Sequence, residues 1–382
     1  MKKFTIPVLL LILILAYFTL RNPAPDQITS QLIAPAPDTT GFARAEGPVP
    51  LSFPADQGPH PDYLTEWWYY TGNLDTPDGD HFGFQLTFFR RALVPPAARA
   101  TERESDWAAD QVYLAHFALT DVAGGEFRSF ERYSRGAADL AGAQAVPYHV
   151  WLENWAVEEI APDTFHLFAQ QDTLTLDLTL TNVKGNILQG DQGYSQKGPE
   201  PGNASYYISQ PRLAATGQVT TAQGTFPVTG QAWMDHEYST SALSEGQIGW
   251  DWFSVQLSND TELMFFQLRR DDGTVDPFSS GTVIYPGGTT RPLTRQDFTI
   301  TVLDTWRSPH SDAEYPARWQ VEIPSEKLTI TLEPWLADQE LQTSVVYWEG
   351  AVQLTGTANG QSVTGNGYVE MTGYAEEFDG DF

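Results

Sequence analysis

Short runs in which apolar and polar residues strictly alternate constrain this chain more than any other feature. The clearest is Thr173-Leu174-Thr175-Leu176-Asp177-Leu178-Thr179-Leu180-Thr181, where four leucines share one parity while hydroxyls and a carboxylate share the other. Side chains of an extended strand point alternately to its two faces, so this run has one face in a core and one in water. Related runs lie at residues 82–89, 112–119, 252–257, 263–268, 298–302 and 328–332, separated by turn signals such as Asp78-Gly79, Asp271-Asp272-Gly273 and Asn359-Gly360. Helical periods are scarce. Many short strands with regular turns define an all-β sandwich or barrel.

The pattern is written twice. Glu66-Trp67-Trp68-Tyr69-Tyr70 leads through a turn to Phe84-Gln85-Leu86-Thr87-Phe88-Phe89-Arg90-Arg91, and Trp250-Asp251-Trp252-Phe253 leads to Leu263-Met264-Phe265-Phe266-Gln267-Leu268-Arg269-Arg270. Both halves close alike, Val228-Thr229-Gly230-Gln231-Ala232-Trp233-Met234-Asp235 matching Val363-Thr364-Gly365-Asn366-Gly367-Tyr368-Val369-Glu370. Two copies of one β unit are therefore expected, a first barrel over residues 53–240 and a second over 241–374.

The flanks differ from this body. Lys2 and Lys3 precede an uncharged apolar run, residues 4–20, closed by Arg21, so residues 1–21 are expected to be a signal peptide or an uncleaved signal anchor. Seventeen helical residues rise about 26 Å, close to the hydrocarbon thickness of a bilayer. No small-x-small cleavage site follows Leu20, which favours an anchor and a body held outside the cytoplasm, in the periplasm or its equivalent. Residues 22–52, rich in Pro and Ala, are expected to be a spacer, and residues 375–382 an acidic tail.

Acidic residues outnumber basic ones by 49 to 21, a formal charge of −28 that argues against nucleic acid as partner. The absence of cysteine removes disulfides, thiolate metal sites and a cysteine nucleophile. No two of the seven histidines (60, 81, 116, 149, 166, 236, 310) have the spacing of a helical zinc site, and neither a G-x-S-x-G elbow nor a phosphate-binding loop is present. Neither metal nor cofactor is expected. Aromatic residues, 13% of the chain and including 12 Trp, are the material for a core or an apolar pocket.

Several stretches together resemble the AttH-like proteins and the related carotenoid 1,2-hydratases, a family of two consecutive lipocalin-like (calycin) domains. They are His60-Pro61-Asp62 before Glu66-Trp67-Trp68-Tyr69-Tyr70-Thr71-Gly72, Gln189-Gly190-Asp191-Gln192-Gly193 before Ala204-Ser205-Tyr206-Tyr207, and Gly230-Gln231-Ala232-Trp233-Met234-Asp235-His236-Glu237. Gly249-Trp250-Asp251-Trp252, Tyr347-Trp348-Glu349-Gly350-Ala351 and Gly367-Tyr368-Val369-Glu370-Met371-Thr372-Gly373-Tyr374 complete the set. The resemblance implies two packed lipocalin-like β-barrels around an apolar guest, and for the AttH-like branch a link to lipid handling and an ABC-type transport system. In the carotenoid hydratases a histidine and the aromatic residue two places on take part in catalysis; here these are His236 and Tyr238. A second aromatic–aspartate pair should fall within residues 263–268, where no carboxylate stands: Phe265 with Gln267, or Phe266 with Leu268, occupies its place.

Asp235-His236-Glu237-Tyr238 is the most chemically loaded stretch. Alternation puts His236 and Tyr238 on one face and Trp233, Asp235 and Glu237 on the other. Hydration of a double bond needs an acid, a group that stabilises the cation and a positioned water, so Asp235, His236 and Tyr238 are the catalytic candidates, against the plainer reading that His236 only hydrogen-bonds at the seam between barrels. For ligand contact the candidates are Glu66, Trp68, Tyr70, His116, Glu237, Trp250, Asp251 and Trp252. Core packing is the default for Trp68 and Tyr70, ion pairing at a rim for Arg90-Arg91 and Arg269-Arg270, and burial with satisfied hydrogen bonds for His116. Three functions compete: a carrier of a lipid or isoprenoid, a hydratase acting on an isoprenoid double bond, and a carbohydrate binder with Trp67, Trp68, Trp250 or Trp252 on an open face.

Overall fold

The structure is a computed structural model that describes residues 39–99, 105–241 and 243–376. The apolar run at 4–20, the spacer as far as residue 38 and the tail from 377 lie outside the described residues. Among those described, every regular element beyond three single 3₁₀ turns is a strand.

The first sheet contains β1 (Thr65–Asp75), β2 (His81–Ala92), β3 (Gln111–Asp121), β4 (Glu126–Arg135), β5 (Ala141–Ala145), β6 (Tyr148–Leu152), β7 (Trp155–Ala161), β8 (Thr164–Gln171) and β9 (Leu174–Asn182). Short β10 (Ile187–Leu188) and β11 (Tyr194–Gln196) precede the long hairpin of β12 (Ala204–Thr221) and β13 (Gly224–Ser239). The second holds β14 (Gln247–Leu257), β15 (Glu262–Arg270), β16 (Ser280–Ile284), β17 (Thr290–Thr294), β18 (Thr299–Arg307), β19 (Glu314–Ile323), β20 (Leu328–Pro334), β21 (Glu340–Gln342), β22 (Val346–Ala358) and β23 (Gln361–Met371). The first sheet forms a nearly closed barrel and the second a half-barrel packed on it, the duplicated lipocalin-like architecture expected from the sequence.

The repeat is visible in the strand order. The path β4-β3-β2-β1-β13-β12-β9-β8-β7 of the first sheet corresponds strand for strand to β17-β16-β15-β14-β23-β22-β20-β19-β18 of the second, and the first continues through β6 and β5. The register carries the repeat to single residues: Tyr69 on β1 lies opposite Asp235 on β13, as Trp252 on β14 lies opposite Glu370 on β23.

Leu174, Leu176, Leu178 and Leu180 of the most regular run all point into the first core, beside Trp68, Tyr70 and Phe117. Phe253, Trp319, Trp348 and Val369 fill the second. Both interiors are occupied by their own side chains, as in small barrels without a ligand chamber. A cavity of about 140 Å³ lies instead where the two sheets meet, and one of about 50 Å³ is lined by β1–β4 of the first sheet alone. Tyr69, Tyr207 and Trp233 of the first sheet meet Trp252, Phe266 and Tyr368 of the second in a separate apolar cluster.

An ion-pair clamp crosses the seam. Glu262 on β15, wholly buried, receives Arg212 Nε from β12 and Lys184 Nζ, 2.6 Å away, from the turn after β9. Arg212 Nη2 also donates to the Leu257 carbonyl at 3.0 Å. Part of the expected spacer is docked: Ala45 is buried, and the Tyr206 hydroxyl donates to the Gly47 carbonyl at 2.9 Å.

The sheets approach closely at Gly83 on β2, where an added Cβ would stand 2.5 Å from the Ala351 Cβ on β22. Neither atom belongs to a flexible side chain that can yield. Gly83→Ala is expected to lower the unfolding free energy by about 1–3 kcal/mol, as overpacked cores do. Adding Ala351→Gly should recover part of that loss; urea denaturation of both single variants and the double variant measures the coupling.

Candidate functional site

A partly enclosed cavity of about 140 Å³ opens in the seam. The first sheet contributes Trp67 and Tyr69 from β1, Phe89 from β2 and Asp235 and Glu237 from β13; the second contributes Trp250, Trp252, Phe266, Leu268, Tyr347 and Glu370. Alternation explains the selection. On β1 the odd positions face the seam while Trp68 and Tyr70 enter the first core, and on β13 Asp235 and Glu237 face the seam while His236 points the other way.

The carboxyls of this wall are bound differently. Asp235 accepts Trp233 Nε1 at 2.7 Å together with the Ser209 and Tyr207 hydroxyls, and the Tyr207 hydroxyl in turn accepts Trp252 Nε1 at 2.9 Å. Glu237 accepts the Ser205 hydroxyl and lies 3.5 Å from the Lys197 ammonium, which rests 4.0 Å over the Phe266 ring. Glu370 accepts Trp250 Nε1 at 3.2 Å. Glu349, behind it, accepts the Tyr69 hydroxyl on one oxygen, and its other oxygen has no hydrogen-bond partner among the described residues.

Burial penalises a charge on Glu370, Asp235 and Glu349. It pushes Glu370 up to about 8, helped by the nearby Glu237 and Asp235 and opposed by Trp250. Asp235 rises to about 7, burial exceeding the pull of its three donors. Glu349 is held well above the carboxylate range by burial and by Glu370 beside it. At neutral pH the cavity therefore presents a neutral carboxylic acid among indole and phenyl faces, close to a carboxylate that is paired with a lysine. Such a wall can deliver a proton to an apolar molecule and shelter a transient cation against aromatic faces.

On the opposite face of β1 and β13 lies a second network, centred on Glu66. Its Oε1 accepts His60 Nδ1 at 2.9 Å and His236 Nε2 at 2.8 Å, and its Oε2 accepts Arg90 Nε at 2.7 Å and the His60 backbone N–H at 2.9 Å. Burial would raise this carboxyl, but the Arg90 guanidinium and the two histidines outweigh it and hold Glu66 far below the ordinary carboxylate range. His236 is kept neutral, burial lowering it more than Glu66 raises it. Its ring stacks on Trp68 at 4.9 Å, and its Nδ1 has no hydrogen-bond partner. His60, Glu66 and His236 bring one ligating atom each within 4.8 Å of one another. Both Glu66 oxygens, however, already accept N–H donors, and the Arg90 guanidinium holds the place of a counter-cation. The trio suits an ion-paired hydrogen-bond network better than a metal centre.

Of the residues singled out in the sequence, Asp235, Glu237, Trp250 and Trp252 meet at the cavity. His236, Tyr238 and Glu66 do not. His236 and Glu66 form the buried network, and Tyr238 stacks on His60 at 3.5 Å. Trp68 and Tyr70 are core residues, with the Tyr70 hydroxyl bonded to that of Tyr148. Asp251, on the far face of β14, pairs with Arg269 Nε at 3.0 Å. His116 stands behind the wall, its Nδ1 2.8 Å from the Tyr347 hydroxyl. The open sugar platform is also corrected: Trp68 and Trp252 are buried and Trp67 and Trp250 half-buried. Glu370, Tyr347 and Lys197 went unrecognised as cavity residues, although the internal repeat aligns Glu370 with Asp235 and so marks it.

A nearly closed barrel and a half-barrel enclosing an acidic, aromatic cavity in their seam define a protein of the lipocalin-like (calycin) β fold. The chain belongs to the AttH-like family, whose model matches residues 44–374. Among solved structures it is similar to a candidate AttH from Nitrosomonas europaea, with 36% identity over 87% of this chain and 100% of that one and a TM-score of 0.77. Kievitone hydratase from Nectria haematococca shares 15% identity over 88% of this chain and 98% of its own, with a TM-score of 0.65. CghA shares 15% over 90% and 97%, with a TM-score of 0.51. These last two likenesses are of fold. No curated protein matches the sequence.

The Glu66 network makes a stability prediction. Glu66→Gln leaves the buried Arg90 without a countercharge and should cost about 3–5 kcal/mol of unfolding free energy in urea. Because the folded Glu66 lies below its unfolded value of 4.5, its contribution is complete above that pH and shrinks as pH falls through and below it. Urea melts taken between about pH 7 and pH 3 should show this acid-side loss in the parent protein and a shallower one in Glu66→Gln.

Proposed function

We propose that this chain is a hydratase-type enzyme that adds water across a carbon–carbon double bond of an apolar substrate held in the seam cavity. The observation that carries this reading is the pairing of two unlike carboxyls on one aromatic wall: Glu370, neutral at physiological pH, and Glu237, held by Lys197. Environments that separate two acids in this way assign the proton donor and the base. Glu370 protonates one alkene carbon, and the indoles of Trp67, Trp250 and Trp252 face the cation that forms. A water then attacks the adjacent carbon, its C–O bond forms, and its surplus proton passes to Glu237. The sum is addition of one water with no redox change. A cavity of about 140 Å³ is close to the ~150 Å³ that holds one benzene, so the reacting end is a single ring or a branched prenyl terminus, with the remainder of the molecule towards Lys197. The solved hydratase of like fold supports the reaction class, and the carrier role is kept as the outcome if no turnover occurs.

The test incubates the protein with a panel of prenylated phenols and monocyclic alkenes in heavy-oxygen water and follows label in the alcohol product by mass spectrometry. Glu370→Gln should lower turnover by about 10²-fold or more while leaving ligand-induced quenching of tryptophan fluorescence intact. In the parent protein the rate should fall as pH rises through about 8, where Glu370 loses its proton. Binding without label incorporation across the panel would instead make the chain a carrier.

A further inference from the structure

An acid that gives up its proton in a buried cavity needs a route by which another arrives. His116 on β3 is fully buried, and its two ring nitrogens are engaged in opposite directions. Nδ1 meets the Tyr347 hydroxyl of β22 at 2.8 Å, and Nε2 meets Glu131 Oε2 of β4 at 3.0 Å. The Tyr347 end lies in the wall of the seam cavity. The Glu131 end reaches the surface, its side chain 17% exposed and its Oε2 also accepting the Ser344 backbone N–H at 3.1 Å and the Ser344 hydroxyl. Three side chains from both sheets thus form an unbroken hydrogen-bonded line from solvent to the cavity. A histidine needed only for packing would be served by any two fixed partners, whereas here each link can both take up and release a proton. The Tyr347 hydroxyl can donate to Nδ1 or, when Nδ1 carries the proton, accept from it and donate into the cavity, and the imidazole can take a proton at one nitrogen and release one from the other.

The groups facing this line from the elements around it belong to the same chemistry. On β4 these are Glu131 and Tyr133, whose hydroxyl meets that of Ser344. On β22 and β23 they are Tyr347, Glu349, Tyr368 and Glu370, while β2 places Thr87 opposite His116 and the Phe89 ring 5.5 Å from it.

We propose that Glu131, His116 and Tyr347 form a proton wire that refills the Glu370 carboxyl from bulk solvent. The proposal rests on the reading of Glu370 as the acid. In one passage the Tyr347 O–H proton moves through the cavity to the Glu370 carboxylate as the His116 Nδ1 proton moves to the Tyr347 oxygen. In the same movement His116 Nε2 takes the proton that entered at Glu131. One proton crosses and Glu131 and Tyr347 return to their starting states, while the imidazole is left protonated at Nε2 and a flip of its ring restores the Nδ1–H form; the proton left on Glu237 departs at the Lys197 rim.

Infrared spectroscopy after rapid mixing into heavy water tests the wire without requiring turnover. The C=O stretch of the protonated Glu370 carboxyl, identified by its loss in Glu370→Gln, shifts as its proton is exchanged for deuterium. Tyr347→Phe, which keeps the ring, and His116→Gln, which keeps hydrogen-bonding capacity, should each slow that exchange by about tenfold or more. Small buffer acids that diffuse into the cavity should restore the rate in both. Exchange at the parent rate in both variants overturns the wire and leaves Glu370 as the acid. Absence of the band from the parent protein at neutral pH removes the acid itself, and the wire with it.

Discussion

Burial of the same strands on both of their faces governs this structure. β9 alternates buried and partly exposed positions, as a strand between core and water does, whereas β1, β2, β14 and β15 run almost continuously buried. One face fills the strand's own barrel and the other docks on the partner sheet. Polar side chains on the docked face lose water and must find partners in the protein. Asn73 Nδ2 accordingly donates to the Gly367 carbonyl at 3.0 Å, Gln256 Nε2 to the Pro211 and Ala232 carbonyls at 2.8 and 2.9 Å, and Thr120 to Gln339 at 2.7 Å. The bonds that let polar groups into the seam also set its register.

Where pairing is incomplete, the same burial becomes chemistry. An acid on a strand facing water would titrate normally; on the seam face Glu370 and Glu349 keep their protons. The cavity exists only where the halves meet, since its aromatic and acidic walls come from both sheets. Docking of the halves therefore makes the site, and the Glu262 clamp and the close approach at Gly83 belong to its construction as much as to stability.

Strand identity, turn positions and the duplication were legible because period-two alternation and the repeated Trp and Arg landmarks survive in the chain itself. What alternation cannot reveal is which face of a doubly buried strand borders a cavity. Trp67-Trp68-Tyr69-Tyr70 divides cleanly into two aromatic pairs, both buried or half-buried, and nothing local separates the pair that fills the barrel from the pair that lines the seam. The chemically rich run Asp235-His236-Glu237-Tyr238 divides in the same way. Its histidine and tyrosine lie on the barrel side with Trp68 and His60, and its two acids on the seam side. Lys197 and Tyr347 carry no motif; only the tertiary fold brings them to the wall.

Duplication explains how one position came to do two jobs. Asp235 and Glu370 occupy equivalent places on β13 and β23, each opposite an aromatic residue of the neighbouring strand. Trp233, Ser209 and Tyr207 all donate to Asp235, so its oxygens are committed to holding the indole, the phenol and, through the phenol, Trp252. Glu370 has a longer side chain and the single indole donor of Trp250, which leaves oxygen capacity facing the cavity. The two copies thus differ in how fully their carboxyls are held: three donors fix Asp235, and the Trp250 indole holds Glu370. A symmetric pair would have met as two competing charges or two saturated anchors; the unequal donor count lets a repeated fold carry an acid on one side and its support on the other.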